Sequence, residues 1–129
     1  MICIPITARS PEDTVSEMIS ASKHADIVEL RIDYIPELQN AEECIEESLK
    51  RKTKPVIITN RPEREGGKFN GSEQDRLCLL QKAIDLGADY VDVEYDSIEQ
   101  IIRRNSSKII ISHHNFKETP HNLSKIYDD

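Results

Sequence analysis

In DIVELRI (residues 26–32), the apolar residues typical of a buried strand alternate with the charged residues Glu29 and Arg31, and this pattern indicates the fold. Side chains on a strand alternate between its two faces, so Val28 and Leu30 share one face. Glu29 and Arg31 then share the other. A β-branched run of this length is too apolar for a half-exposed strand and is typical of a parallel strand packed between layers.

Similar runs recur along the chain and alternate with helical patterns. The predicted strands are Ile2–Thr7, Asp26–Ile32, Pro55–Asn60, Tyr90–Tyr95 and Lys108–His113. Between them, Ser10, Asn40 and Ser72 are predicted N-caps, Gly87 ends the third helix, and Asp96 opens a short fourth one. This alternation predicts an α/β protein in which right-handed crossovers build a parallel sheet with helices packed against it.

Length and composition restrict the classes of function. The chain has 129 residues and a net charge of −7, which predicts a single domain over residues 1–129. The acidic balance disfavours nucleic acid and anionic membranes as partners, because both require a basic surface. No apolar run is long enough to span a bilayer. Cys3, Cys44 and Cys78 form no Cys-x-x-Cys motif, so we expect reduced thiols in a cytoplasmic protein.

In four predicted strands, polar side chains lie on the face opposite to the one expected to pack against the helices. This set comprises Glu29, Arg31, Thr59, Arg61, Asp92, Glu94, Ser112 and His114. Charges on a buried strand are costly unless they are paired or serve a site. These lie towards the carboxyl ends of the strands, where α/β barrels and doubly wound sheets bind ligands. The agreement of four strands favours a functional site, and the alternative is structural ion pairing, for instance of Glu29 with Arg31 or Arg61.

Two further features surround these strand ends. After the third strand, RPEREGG (residues 61–67) places Glu65 before paired glycines, which permit either a tight turn or a mobile excursion. The pair His113-His114 lies on the fifth strand, where adjacent side chains face opposite sides, so the two cannot share a metal ion without a bulge. His114 is in phase with the polar set and is the candidate acid and base.

Three motifs together resemble those of type I 3-dehydroquinate dehydratases. ELRID (residues 29–33) resembles the family's E-x-R-x-D on strand two, and RPEREGG resembles its R-x-x-x-E-G-G after strand three. SHHNF (residues 112–116), followed by Thr119-Pro120, resembles its S-x-H-(D/N)-(F/Y)-x-x-T-P. The resemblance covers the chain from Ile2 onward. It implies a (β/α)8 TIM barrel, of which this chain is about the first four and a half βα units.

The resemblance also implies an activity and roles for individual residues. The family dehydrates 3-dehydroquinate to 3-dehydroshikimate through a Schiff base in the shikimate pathway, without a metal or organic cofactor. His114 would be the general base and acid, oriented by Glu65. Glu29, Arg31 and Arg61 would bind the substrate. The family's imine-forming lysine lies on strand six, beyond residue 129, so we expect a truncated chain that is inactive alone.

Two other functions fit the same residues. One is a non-catalytic half-barrel that binds or regulates, and the other is an unrelated α/β hydrolase or lyase that uses Glu29, Glu94 and His114 without an imine. Five strands without closure would leave strands one and five as open edges. We therefore expect a homodimer or an edge-paired oligomer. The segment His121–Tyr127 is predicted to begin another helix.

Overall fold

The computed structural model describes residues 1–102, 107–113 and 123–127. The strands are β1 (Cys3–Ile6), β2 (Ile27–Arg31), β3 (Val56–Thr59), β4 (Tyr90–Glu94), β5 (Lys108–His113) and β6 (Leu123–Tyr127). The helices are α1 (Pro11–Ala21), α2 (Leu38–Arg51) and α3 (Glu73–Asp85), with short 3₁₀ helices at Ile32–Tyr34, Glu63–Glu65 and Tyr95–Gln100.

The strands form one sheet in the order β1-β2-β3-β4-β5-β6. The first five are parallel, and each pairs with the next strand along the chain. A doubly wound sheet would reverse its strand order part-way. The unbroken order is instead that of successive units of a barrel, which confirms the predicted partial barrel.

The two faces of the sheet carry side chains of different character. On the face covered by the helices, the side chains of Val28, Leu30, Val56, Ile58, Val91, Val93 and Ile109 are at most 1% exposed. On the other face, Ile27, Glu29, Ile57 and Ile110 are partly buried, whereas the polar residues Thr59, Asp92, Glu94 and Ser112 are buried. The hydrophobic core therefore lies between the sheet and the helices. The polar side chains predicted from the sequence lie on the inner face of the sheet, which the helices do not cover.

Local sequence signals correctly predicted the start of α1 and both ends of α3. Ser10 Oγ accepts a hydrogen bond from Asp13 N at 3.2 Å, and Ser72 Oγ accepts one from Asp75 N at 3.1 Å, as expected for N-caps. Gly87 follows α3 with φ of 87°, a left-handed conformation that favours glycine. No helix in the described part of the chain is both long and apolar enough to cross a membrane.

Two predictions about helices were wrong. Asn40 lies inside α2 and does not cap it, because Ala41 N already donates to Glu37 O at 2.9 Å and the helix begins at Leu38. Where a helix was predicted to begin over residues 121–127, the described residues Leu123–Tyr127 form β6, which pairs antiparallel to β5 with Ile110 opposite Ile126. An antiparallel partner satisfies backbone groups along the outer edge of β5. This edge is therefore paired, and the prediction that it would be open was wrong. The segment opened by Asp96 is helical but 3₁₀ in type.

Candidate active site

Arg61 lies at the centre of a buried ion-pair cluster just beyond the end of β3. Its Nη1 donates to Asp92 Oδ1 at 3.0 Å and to Glu94 Oε2 at 2.5 Å, and the residue is 8% exposed. Burial alone would lower the pKa of Arg61, but the carboxylates of Asp92 and Glu94 outweigh it and raise the pKa. Arg61 is therefore a fixed cation, and its Nη2 and Nε have no hydrogen-bond partner among the described residues.

Arg76 of α3 reaches the same cluster from the helical layer. Its Nη1 donates to Glu94 Oε1 and to the Asn60 carbonyl, and its Nη2 lies 3.0 Å from Ser97 Oγ. Nε and Nη2 also contact the two carboxylate oxygens of Glu73, each at 2.8 Å. Both oxygens of the fully buried Glu94 are thus occupied, one by Arg76 and the other by Arg61.

Arg76 was not predicted as a site residue, although its position in the sequence carried a signal. Arg76 precedes Leu80 by four positions and Ala83 by seven, so it lies on the buried face of α3. An arginine in that phase needs buried anions, because an unpaired buried charge is strongly destabilising. Glu94, one of the polar residues predicted on the inner face of β4, was the candidate anion for Arg76.

Glu29 and Arg31 project from β2 onto the inner face, as predicted, but they do not pair with each other. Glu29 Oε2 accepts a hydrogen bond from Thr59 Oγ1 at 2.7 Å. Arg31 forms a two-pronged ion pair with Asp33, with Nε at 3.0 Å and Nη2 at 2.8 Å from its oxygens. The Arg31 guanidinium also lies 5.3 Å from the centre of the Tyr34 ring. The proposed structural pairs of Glu29 with Arg31 or Arg61 are therefore not formed.

The loop after β3 is a compact turn. Gly67 N donates to Pro62 O at 2.9 Å and Phe69 N donates to Arg61 O at 3.1 Å, so the chain folds back on Arg61. A Cβ on Gly67 would lie 2.1 Å from the Arg61 carbonyl oxygen, which only glycine avoids. The Glu65 carboxylate is partly exposed on this turn and has no partner within the described ranges.

Ser112 of β5 lies beside the cluster, while His114 lies outside the described residues. The hydroxyl of Ser112 is 2.7 Å from Asp92 Oδ1, and Asp92 in turn accepts from Arg61. The structure thus links Arg61, Asp92, Glu94 and Ser112 and places Glu29 and Arg31 on the neighbouring strand of the same sheet. Among the residues that the structure describes, no group of three His, Cys, Asp or Glu side chains could hold a metal ion.

The family model for type I 3-dehydroquinase matches residues 2–129. The chain belongs to this family. Among curated relatives, a 3-dehydroquinate dehydratase of Methanothermobacter thermautotrophicus is 43% identical over 124 residues, which cover 92% of this chain and 54% of that protein. The 3-dehydroquinate dehydratase of Methanocaldococcus jannaschii is 38% identical, covering 93% of this chain and 56% of that protein.

Two multifunctional proteins are also similar to this 3-dehydroquinase-family chain. The chloroplastic bifunctional 3-dehydroquinate dehydratase/shikimate dehydrogenase of Arabidopsis thaliana is 35% identical, covering 93% of this chain and 21% of that protein. The solved structure of the dehydroquinate dehydratase and shikimate dehydrogenase from S. pombe AroM superposes with a TM-score of 0.75 at 25% identity, covering 89% of this chain and 24% of that one. The chain spans just over half the length of the archaeal relatives. The predicted family and barrel fold are confirmed.

Proposed function

We propose that the protein to which this chain belongs dehydrates 3-dehydroquinate to 3-dehydroshikimate and water, and that residues 1–129 form one domain that contributes the substrate-binding strands. The observation that carries this proposal is the position of Glu29, Arg31 and Arg61. Arg31 ends β2 and Arg61 lies just beyond the end of β3, at the side of the sheet where barrel enzymes bind their substrates, and Glu29 lies two residues before Arg31 on the same face of β2. The 3-dehydroquinase family and the names of the relatives support the reaction.

Unused hydrogen-bonding capacity supports the binding role. Each of the three side chains is held by one set of contacts and retains further atoms without a partner in the described ranges. These atoms are Glu29 Oε1, Arg31 Nη1, and Arg61 Nη2 and Nε. Three donor nitrogens on two guanidinium groups and one carboxylate acceptor suit a ring with several hydroxyl groups. The existing contacts fix the side chains in advance, which lowers the entropy lost when the ligand binds.

We assign the proton transfers to His114 and the orientation of its imidazole to Glu65. In the proposed chemistry, a lysine amine condenses with the substrate ketone and releases water, which makes the C2 proton more acidic. His114 removes that proton and returns it to the departing C1 hydroxyl, which leaves as water, and Glu65 orients the imidazole. Hydrolysis of the product imine consumes one water and restores the lysine. No metal or organic cofactor takes part.

We place the imine-forming lysine outside residues 1–129, so that this chain binds substrate but does not react alone. Among lysines whose side chains are described, Lys68 lies in the exposed loop after β3, whereas the resemblance places the imine-forming lysine on a strand. We further propose a cytoplasmic protein that forms a homodimer or edge-paired oligomer. Its partner is a small-molecule substrate rather than nucleic acid or a membrane.

The test is to titrate the isotopically labelled chain with 3-dehydroquinate and record its NMR spectrum. We expect chemical-shift changes at Glu29, Arg31 and Arg61, and none in α1, which lies on the far side of the sheet. The complex is then treated with borohydride and weighed intact, with no gain in mass expected. A gain of one reduced substrate would contradict our placement of the lysine, and peptide mapping would identify it. An unchanged spectrum would contradict substrate binding.

A further inference from the structure

Glu94 is shared between two arginines through separate oxygens. Its Oε2 lies 2.5 Å from Arg61 Nη1, and its Oε1 accepts from Arg76 Nη1. All three residues are buried, with Glu94 at 0% and Arg76 at 1% exposure. A carboxylate and a guanidinium commonly pair through two parallel hydrogen bonds. Glu94 instead meets Arg61 end-on, through one oxygen and one nitrogen.

The occupied Oε1 explains this end-on contact. If Arg76 were absent, Oε1 would be a buried anionic oxygen without a donor, and burial makes that state costly. The nearest compensation would be a second nitrogen of Arg61. Arg61 would then use two of its nitrogens on Glu94 and retain fewer for any ligand on the inner face.

Arg76 is itself held firmly from the outer side of the cluster. Arg76 donates two hydrogen bonds of 2.8 Å to the Glu73 carboxylate. It also donates to Ser97 Oγ at 3.0 Å and to the Asn60 carbonyl at 3.2 Å. A planar guanidinium makes these contacts simultaneously, whereas a lysine ammonium is a single point donor. The fork of Arg76 therefore has one defined position from which it reaches Glu94.

We propose that Arg76 is a positioning residue, which occupies Glu94 Oε1 so that Arg61 keeps its Nη2 and Nε donors for the substrate. This inference rests on the proposed function, because it concerns how Arg61 presents itself to 3-dehydroquinate. It assigns a role to a helical residue that does not itself lie among the substrate-binding side chains of the strands.

Arg76→Met tests the proposal, with Arg64→Met as the matched control. Arg64 also contacts Glu73 and Ser97, but it is exposed and does not touch Glu94. We expect Arg76→Met to weaken 3-dehydroquinate binding by about tenfold or more, the scale of one charge-assisted hydrogen bond. We also expect the Arg61 side-chain N–H protons to exchange more slowly with water, because Glu94 then engages a second nitrogen.

The direction of the exchange separates positioning from simple structural support. A cluster that merely loosened without Arg76 would let the Arg61 protons exchange faster, and that result would overturn the proposal. Unchanged affinity and exchange would also overturn it. The double variant Arg76→Met/Glu94→Gln balances the buried charge and supplies no second anionic oxygen, so we expect it to regain most of the lost affinity.

Two further arrangements keep the test decisive. If Arg76→Met does not fold, Glu73→Gln replaces it, because this variant weakens the ion pair that holds Arg76 and leaves Glu94, Arg61 and Arg76 unchanged. We then expect smaller decreases in 3-dehydroquinate affinity and in the exchange rate of the Arg61 protons. No change relative to Arg64→Met would contradict the role of Arg76. If the unmodified chain fails to bind 3-dehydroquinate, the proposed function fails. The exchange of the Arg61 protons still decides whether Arg76 controls the Glu94 contact.

Discussion

Ser112 donates its hydroxyl hydrogen to Asp92 across the β4–β5 pair, with Ser112 Oγ 2.7 and 2.8 Å from the two carboxylate oxygens. Asp92 also accepts from Arg61 at 3.0 Å, so one carboxylate joins three strand ends. Ser112 lies two positions before His114 on the same segment. The contact therefore connects the strand that leads to the proposed base with the arginine proposed to hold the substrate.

Replacing Ser112 with alanine removes a buried hydrogen bond to a charged acceptor. We expect Ser112→Ala to lower the free energy of unfolding by about 1–3 kcal/mol, measured by urea denaturation. Ser16→Ala is the control, because Ser16 is exposed on α1 and the change should stay within about 0.5 kcal/mol. Equal effects of the two substitutions would contradict a stabilising Ser112–Asp92 contact.

Gly67 is required by close approach rather than by its backbone angles. Gly67→Ala places a Cβ 2.1 Å from the Arg61 carbonyl oxygen, so the loop must move. We expect a loss of about 3 kcal/mol or more in unfolding free energy, at the upper end for overpacking. In the comparison variant Gly87→Ala, φ is 87° but no atom lies within 4 Å, so only about 1–2 kcal/mol is lost. A larger loss of unfolding free energy in Gly87→Ala than in Gly67→Ala would contradict a close contact between Gly67 and the Arg61 carbonyl.

Glu73 makes the stability of the chain depend on acid pH. The Arg76 guanidinium, followed by that of Arg64, holds the pKa of Glu73 well below its usual range despite partial burial. Because the folded pKa lies below the unfolded value of about 4.3, the stabilisation is complete at neutral pH. It is lost as the pH falls below about 4.3 towards the lowered pKa.

Urea unfolding at about pH 7 and about pH 3 measures this effect. We expect Glu73→Gln to be less stable than the unmodified chain at neutral pH and to lose less stability on acidification. Glu17→Gln, at an exposed position of α1, should follow the unmodified chain. If Glu73→Gln also kept the full pH dependence, the ion pair with Arg76 would not be the source.

The edge of β1 is expected to mediate self-association. β1 pairs with β2 on one side, and it stands at the end of the strand order, whereas the edge of β5 is paired with β6. Light scattering at high concentration should show a species larger than a monomer. Cys3→Lys places a charge on β1, which discourages strand pairing, and should shift the equilibrium towards monomer. A monomer at every concentration would contradict this prediction.

Periodicity predicted which face of the sheet would carry the polar side chains. The alternation of Val28 with Glu29 and of Val91 with Asp92 is enough to place the carboxylates on the inner face, since a strand has only two faces. Periodicity does not determine partners. The register of β2 against β3 places Glu29 opposite Ile57 and Arg31 opposite Thr59, yet Glu29 pairs diagonally with Thr59 while Arg31 pairs with Asp33.

Features that depend on tertiary contacts were missed. Arg76 was overlooked because a charged residue on a helix is usually solvated, and its burial follows from where α3 packs on β3 and β4. The segment that forms β6 was predicted to begin a helix, because its pairing with the edge of β5 is a tertiary contact that local sequence does not reveal. His114 lies outside the described residues, and its role as base stays a prediction.

The most direct test of substrate binding at these strand ends is the affinity for 3-dehydroquinate of the unmodified chain and of the variants Arg61→Met and Arg64→Met. Arg61 lies buried at the end of β3, whereas Arg64 is an exposed arginine of the following loop. We predict measurable binding by the unmodified chain, nearly the same affinity in Arg64→Met, and a loss of about tenfold or more in Arg61→Met. Binding that is equally strong in both variants, or that is absent from the unmodified chain, would contradict the proposal that these strand ends hold the substrate.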